Sequence, residues 1–257
     1  MAPRFGETAM AWYAYCITEQ PTLTNGTRSR RPFLLEGIQG VENAPVLSYP
    51  SGEFAVIVSE YERNGHRLEE KHVLEHARVV SICFRTGTVL PFRFGTVFDS
   101  DEALRQAVHA NRRTFGVSVA KLRGKSEMHL KVLVRDGSLR SAMEKVELPD
   151  TVGGEYLAKL REKACKDRER QTKARALSVQ VHKLFHPLEE EISCKKVDAD
   201  GMLIDIAHLI DSSSVEKYQN RYNSAAKQLK NCELALSGPW PPYHFMPGKL
   251  RTVAGNS

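Results

Sequence analysis

Hydrophobic positions along the chain recur with two periods, and the period changes segment by segment. Residues 10–17 are aromatic-rich and read as a strand. Residues 53–60 alternate, with Phe54, Val56 and Val58 facing one way and Ala55, Ile57 and Ser59 the other, which predicts a second strand. Leu68, Val73, Ala77, Val80 and Phe84 then recur at helical spacing. The run from Thr88 to Phe98 is apolar but broken by Pro91 and Gly95. Pro91 fixes φ and donates no backbone hydrogen bond, so a regular central strand is not expected there. Asp99, with Glu102 three residues on, resembles a capping box for a helix carrying Leu104, Ala107 and Val108.

Beyond the break at Arg123-Gly124-Lys125 the pattern is cleaner. Met128, Leu130, Val132 and Val134 alternate with Glu127, His129, Lys131 and Arg135. Residues 155–185 contain no Gly or Pro and predict a long helix with apolar ends (Tyr156, Leu157, Leu160; Leu177, Val181, Leu184, Phe185) and a charged middle. Strands near 191–197 and 202–210 flank Asp198-Ala199-Asp200-Gly201, a hairpin signal. Met202, Ile204, Ile206 and Ile210 share one face. Ser213 with Glu216 is read as the cap of a helix whose buried stripe is Val215, Tyr218, Tyr222, Ala225 and Leu229, and residues 232–237 form a last strand. The order β-α-β-β-α-β matches the ferredoxin-like arrangement. The expected fold is therefore α+β in two domains: residues 1–123 a mixed sheet-and-helix domain, residues 124–237 ferredoxin-like, and residues 238–257 a Pro/aromatic segment and tail.

Composition is that of an ordinary globular chain: 257 residues, 41% hydrophobic and 26% charged. The net charge of +6 is small for this length and fits a mildly basic surface better than a nucleic-acid or anionic-lipid binder. The five cysteines (Cys16, Cys83, Cys165, Cys194, Cys232) are scattered, with no C-x-x-C. Neither a zinc knuckle nor a dithiol redox motif is supported, and free thiols in a reducing cytoplasm are expected. The N-terminus lacks the basic and apolar regions of a secretory signal. Apolar runs fall short of the roughly 20 residues of a spanning helix. A cytoplasmic protein is the expectation.

Two pairs of histidines invite a metal reading. His72-Val73-Leu74-Glu75-His76 matches H-x-x-E-H, and i, i+4 spacing puts both rings on one helical face. A metal-dependent hydrolase using His72, Glu75 and His76 is thus one alternative. The plainer reading is an amphipathic helix with exposed or half-buried histidines. His182 and His186 form a second pair ending at Pro187, where a histidine complements the helix dipole. Phe92-Arg93-Phe94-Gly95 does not fit the order of aromatic RNA-binding signatures. An RNA-binding ferredoxin-like module remains a second alternative, opposed by the mixture of charges along 155–185. No Walker loop, G-x-G-x-x-G or G-x-S-x-G occurs. No enzyme is expected, and no catalytic, cofactor-binding or metal residue is assigned.

Two segments stand out as structural or interaction motifs. In Pro91, Phe92, Arg93, Phe94 and Gly95 the phenylalanines are expected to anchor a turn while Arg93 binds carbonyls or a carboxylate. In Gly238, Pro239, Trp240, Pro241, Pro242, Tyr243 and Phe245, residues before proline are pushed toward extended conformations, giving a stiff polyproline-like strip. It serves either as a clamp on its own domain or as a docking strip for another chain.

These same two segments resemble blocks of the GvpF/GvpL family of gas vesicle proteins: Val89 to Phe98 is similar to its VLP-RFGTVF block and Gly238 to Phe245 to its C-terminal GPWPPY-F block. His72-Val73-Leu74-Glu75, Gly124 to Val132 and Gly154-Glu155-Tyr156-Leu157 support the resemblance in family order. It implies two α+β domains, no active site or cofactor, and a part in gas vesicle assembly, in the cytoplasm or on the vesicle. The implied partners are the hydrophobic shell protein GvpA and other accessory gas vesicle proteins, with no nucleic acid and no lipid membrane. It also implies a chaperone-like role limiting shell-protein aggregation, and a sheet edge or apolar groove of residues 1–123, rich in aromatics (Trp12, Tyr13, Tyr15, Phe92, Phe94, Phe98), is expected to serve that contact.

Overall fold

A computed structural model describes residues 11–20, 31–62, 68–134, 152–186, 188–196, 202–229 and 232–247. It divides into two units, Met1–Lys125 with Trp240–Ser257, and Ser126–Pro239.

The first unit is built on a six-stranded sheet. Its strands are β1 (Ala11–Glu19), β2 (Phe33–Gln39), β3 (Pro45–Ser51), β4 (Phe54–Tyr61), β5 (Val89–Pro91) and β6 (Val97–Phe98). The order is β2-β3-β4-β1-β5, with β6 also pairing β1. The pairings β1–β4, β1–β5, β1–β6, β2–β3 and β3–β4 are antiparallel. Helices α1 (Glu70–Thr86) and α2 (Asp101–Leu122) cover opposite faces. On one, Val79, Val80 and Cys83 of α1 pack with Tyr13, Tyr15, Val46 and Ile57. On the other, Phe115 of α2 meets Phe54 edge-on, with ring centroids 6.1 Å apart, and Asp101 accepts from Trp12 and Tyr49. Both faces are buried, so β4 is apolar throughout from Phe54 to Val58.

The second unit carries β7 (Lys125–Val134, its first residue in the preceding unit), α3 (Val152–Phe185), β8 (Glu191–Lys196), β9 (Met202–Asp211), α4 (Val215–Gln228) and β10 (Cys232–Trp240). The sheet order is β10-β7-β9-β8. One core joins Met128, Leu130 and Val132 of β7 to Ile204, Ile206 and Ile210 of β9, with Leu177, Val181 and Phe185 of α3 and Tyr218 and Ala225 of α4 above them. The period-2 and period-3.6 patterns thus converge on one apolar layer.

Several local expectations need correcting. The buried face of α1 is His72, His76, Val79, Val80 and Cys83, while Val73 is 41% exposed and Leu74 74%. Counting histidine as polar turned the predicted stripe away from the sheet. At the start of α2 the cap is Ser100, whose Oγ accepts from Ala103 N–H at 3.1 Å, rather than Asp99. Before α4, Asp211 Oδ1 accepts from the Ser213 N–H at 2.9 Å, because a turn at Ser212–Ser214 precedes the helix. The Asp198 to Gly201 hairpin signal, Arg135 and the side chains of Val134, Tyr156, Leu157 and Met202 lie outside what is described.

Candidate functional site

The turn Pro91 to Gly95 follows β5, the short strand on the edge of the first sheet. There Pro91, Leu90 and Val89 pair with Cys16, Ile17 and Thr18. Proline is tolerated because its missing N–H falls at the end of a three-residue edge strand. Inside the turn the Arg93 carbonyl accepts from the Thr96 N–H at 3.1 Å and the Thr96 hydroxyl at 2.7 Å. Gly95 has φ +82, a conformation that favours glycine.

Two buried side chains brace this turn from beneath. His76 Nε2 lies 3.2 Å from the Phe92 carbonyl, and its Nδ1 lies 2.9 Å from the Tyr13 hydroxyl. A carbonyl can only accept, so Nε2–H donates to it and Nδ1 accepts from Tyr13. The Tyr13 oxygen in turn accepts from the Gly95 N–H at 3.3 Å. Burial holds the imidazole neutral, pushing its pKa down to about 4, and pushes the Tyr13 phenol up. Tyr13, Tyr15, His76 and Phe94 pack ring against ring around the clip. The turn is thereby fixed at both ends, and it presents Arg93 outward. The Arg93 side chain is exposed and forms no ion pair among the described residues, so its expected grip on a carboxylate is not part of the structure.

The same geometry accounts for the H-x-x-E-H pattern. His72 and His76 are each 3% exposed, so the expectation of exposed or half-buried rings fails. His72 Nδ1 accepts from the Glu69 N–H at 2.9 Å, closing the start of α1. Glu75 Oε2 accepts from the Glu42 N–H at 3.0 Å, holding the turn Val41–Asn43, where Glu42 and Asn43 have positive φ. Both His76 nitrogens are engaged. Each residue of the motif is spent on a separate structural contact, with no shared focus where a metal would sit.

Gly238 and Pro239 end the second unit. Gly238 has φ +122, and the Gly238–Pro239 bond is cis. A Cβ at Gly238 would lie 2.8 Å from the Glu127 carbonyl oxygen and 3.0 Å from Met128 Sδ. Gly238 nonetheless lies within β10, as the extended conformation expected before proline requires, and its positive φ favours glycine. Trp240 to Phe245 belong to the first unit, where Tyr243–Phe245 form a 3-10 turn closed by Tyr243 N–H to the Pro241 carbonyl and Phe245 N–H to the Pro242 carbonyl. A turn therefore replaces the end of the expected polyproline strip. Pro241, Pro242 and Phe245 are buried, whereas Trp240 is 45% exposed and Tyr243 37%.

The second unit holds a cluster that the hydrophobic pattern passed over. His208 Nδ1 lies 2.6 Å from the Tyr218 hydroxyl and its Nε2 3.2 Å from Glu189 Oε2. Glu189 Oε1 is 2.6 Å from Nδ1 of the more exposed His182. Among the described residues neither carboxylate oxygen has a donor aligned for a hydrogen bond. Burial raises the Glu189 pKa, opposed by His182. Burial lowers His208 to about 4 and raises Tyr218. His182 thus points to Glu189 rather than ending the helix as a free dipole partner. The signal was present in the sequence: period 2 along β9 puts His208 on the inward face with Ile206 and Ile210.

Of the aromatics expected to serve a contact, Trp12, Tyr13, Tyr15 and Phe92 are buried and Phe94 and Phe98 half-buried. They are core residues. Apart from Val73 and Leu74 of α1 and Val117 of α2, the exposed large apolar residues described between β1 and α2 lie on β2, an outermost strand in the first sheet's order, where Phe33 is 36% and Leu34 53% exposed.

Comparison with known proteins agrees with these elements. The family model described as gas vesicle synthesis protein GvpL/GvpF matches residues 11–247. Gas vesicle protein F1 of Halobacterium salinarum is 21% identical over 237 residues, covering 91% of this chain and 92% of that protein. The crystal structure of gas vesicle protein GvpF from Anabaena sp. PCC7120 is similar with a TM-score of 0.74 at 18% identity, over 93% of this chain and 98% of that one. GvpF from Microcystis aeruginosa is similar with a TM-score of 0.70 at 19% identity, over 92% and 99%.

Proposed function

We propose, from the premise that this chain belongs to the gas vesicle synthesis protein GvpL/GvpF family, that it acts in vesicle assembly by covering apolar surface of the shell protein GvpA before that protein polymerises. The family assigns a gas vesicle role and association with other gas vesicle proteins. It is a structural and accessory family rather than a known enzyme family. Shell subunits must expose apolar strands in order to assemble, and such strands aggregate. A partner with an open apolar sheet edge can pair with one transiently. β2 supports this reading, since Phe33 and Leu34 are the large exposed apolar residues of the first sheet's outer strand. The braced Arg93 turn and the exposed Trp240 and Tyr243 supply further contact points. The second unit is read as ferredoxin-like, supported by its β-α-β-β-α-β order and the β10-β7-β9-β8 sheet. Work in the cytoplasm, at the growing vesicle, is the corresponding location.

The observation carrying the reading is the family match across residues 11–247. The test is light scattering of purified GvpA diluted into buffer with the full chain or with its F33E/L34K variant. Wild type should delay aggregation and the variant should not. Equal delay by both removes β2 from the mechanism. No delay by wild type removes the chaperone-like role itself.

A further inference from the structure

The stretch of α3 from Lys159 to Thr172 has no core beneath it. From Lys159 to Thr172 no residue is buried, and burial begins at Ala174. In linear order its charges are mixed. Winding them at about 100° per residue sorts them. Lys159, Lys163, Lys166, Arg170 and Lys173 follow i, i+4, i+7, i+11, i+14 and fall within roughly 40° either side of one line. They form a cationic stripe about 21 Å long. Arg161, Arg168 and Arg175 repeat every seventh residue on the opposite face. Acids border the stripe, Glu162 and Glu169 on one flank and Asp167 on the other. Glu162 reaches Lys166 at 2.6 Å. Helical geometry thus draws charges that are mixed in sequence into a continuous basic stripe.

We infer that this stripe is a docking surface for an acidic α-helix of a partner protein. Successive cations advance along the axis by about 6 and 4.5 Å in alternation. Acidic residues at the same helical spacing on a parallel or antiparallel partner would meet each of them. The flanking carboxylates add selectivity. A partner helix about 10 Å across covers the stripe alone and can carry basic residues beside its acids to face Glu162, Glu169 and Asp167. A nucleic-acid duplex is broader, and its phosphates would meet those carboxylates. An anionic membrane calls for an apolar face, and Leu160 is the sole large apolar side chain between Lys159 and Lys173. A second copy would set cations against cations.

The experiment uses the full chain and a labelled synthetic helix bearing glutamates at i, i+4, i+7, i+11 and i+14, read by fluorescence anisotropy at about 0.15 M salt. Comparators are a scrambled peptide of equal composition, a duplex DNA oligonucleotide, and phosphatidylserine-containing vesicles. The striped peptide should bind about 10-fold tighter than the scrambled one. K163E/K166E/R170E should weaken it about 10-fold, while R161E/R168E/R175E, with the same change in net charge, should change it less than about 3-fold. Equal losses in the two triples reduce the effect to net charge and overturn the inference. So do equal binding of the scrambled peptide, or displacement of the striped peptide by DNA or vesicles at lower concentration. If circular dichroism finds the first triple less helical, K163Q/K166Q is read instead. A loss of about 3-fold is then expected, and no loss overturns the inference.

Discussion

Replacing His76 by leucine tests the clip beneath the Pro91 to Gly95 turn. Leucine keeps much of the volume but supplies neither donor nor acceptor. The Phe92 carbonyl loses the Nε2–H, and the Tyr13 hydroxyl loses its acceptor at Nδ1. A buried group left unsatisfied costs about 1–3 kcal/mol, so the pair predicts a loss of roughly 2–4 kcal/mol at pH 7.5, some of it recovered by apolar packing. Tyr13→Phe should cost about 1–2 kcal/mol, and the double variant should fall short of the sum by about 1 kcal/mol, because one hydrogen bond is counted in both. The pH dependence makes the test sharper. His76 has a folded pKa of about 4 against an ordinary value near 6.5. Between those values the unfolded chain binds the extra proton. The stabilisation from His76 is therefore complete above about pH 6.5 and is lost as pH falls toward 4, by about 3 kcal/mol in all. His76→Leu has no such term, so its deficit against wild type should shrink from pH 7.5 to pH 4.5. His208 titrates alike in both proteins and cancels. Both tryptophans, Trp12 and Trp240, lie in the first unit, so urea unfolding followed by tryptophan fluorescence reports on it. A deficit that stays constant with pH refutes the neutral, buried imidazole. A deficit below about 0.5 kcal/mol at pH 7.5 refutes the clip.

Gly40→Ala drives a Cβ into the Tyr15 hydroxyl, which is held by Ser59 and the Val41 N–H; a loss above about 2 kcal/mol is expected in the same urea assay. Gly238→Ala combines φ +122 with the 2.8 Å approach to the Glu127 carbonyl, and its thermal midpoint should drop by at least about 4 °C. Tyr218→Phe leaves His208 Nδ1 without its partner and should cost about 1–2 kcal/mol, measured by far-ultraviolet circular dichroism during urea unfolding. Arg112→Ala breaks an exposed pair with Glu53 at 2.8 Å and should leave the urea midpoint essentially where it is in wild type.

How much could be read beforehand differs between the units. Strands β7 and β9 were legible because each repeats a single period over many residues, and helix α3 because residues 155–185 contain no Gly or Pro. Strands β2 and β3 were not. β2 is largely exposed and gives no alternation, and β3 carries Pro45 and Pro50. The faces of β4 were assigned in the right alternation, but both are buried, because a helix packs on each.

The candidate sites divide along a similar line. The blocks Val89 to Phe98 and Gly238 to Phe245 are contiguous in sequence, so the family could be recognised from the residues in order. Whether Trp240 and Tyr243 are exposed while Phe245 is buried is decided by which neighbours the folded chain brings up to them.

Local order alone determined the periods of the main elements, the break at Gly124, the helical spacing of His72 and His76, and the cationic repeat along α3. The tertiary structure decided what those features do. A histidine is buried or exposed according to whether distant groups satisfy its ring, and for His76 those groups are Tyr13, 63 positions away, and the Phe92 carbonyl. No window of sequence around residues 72–76 contains either partner, so the same five letters that suggest a metal site serve instead as three separate ties within the first unit.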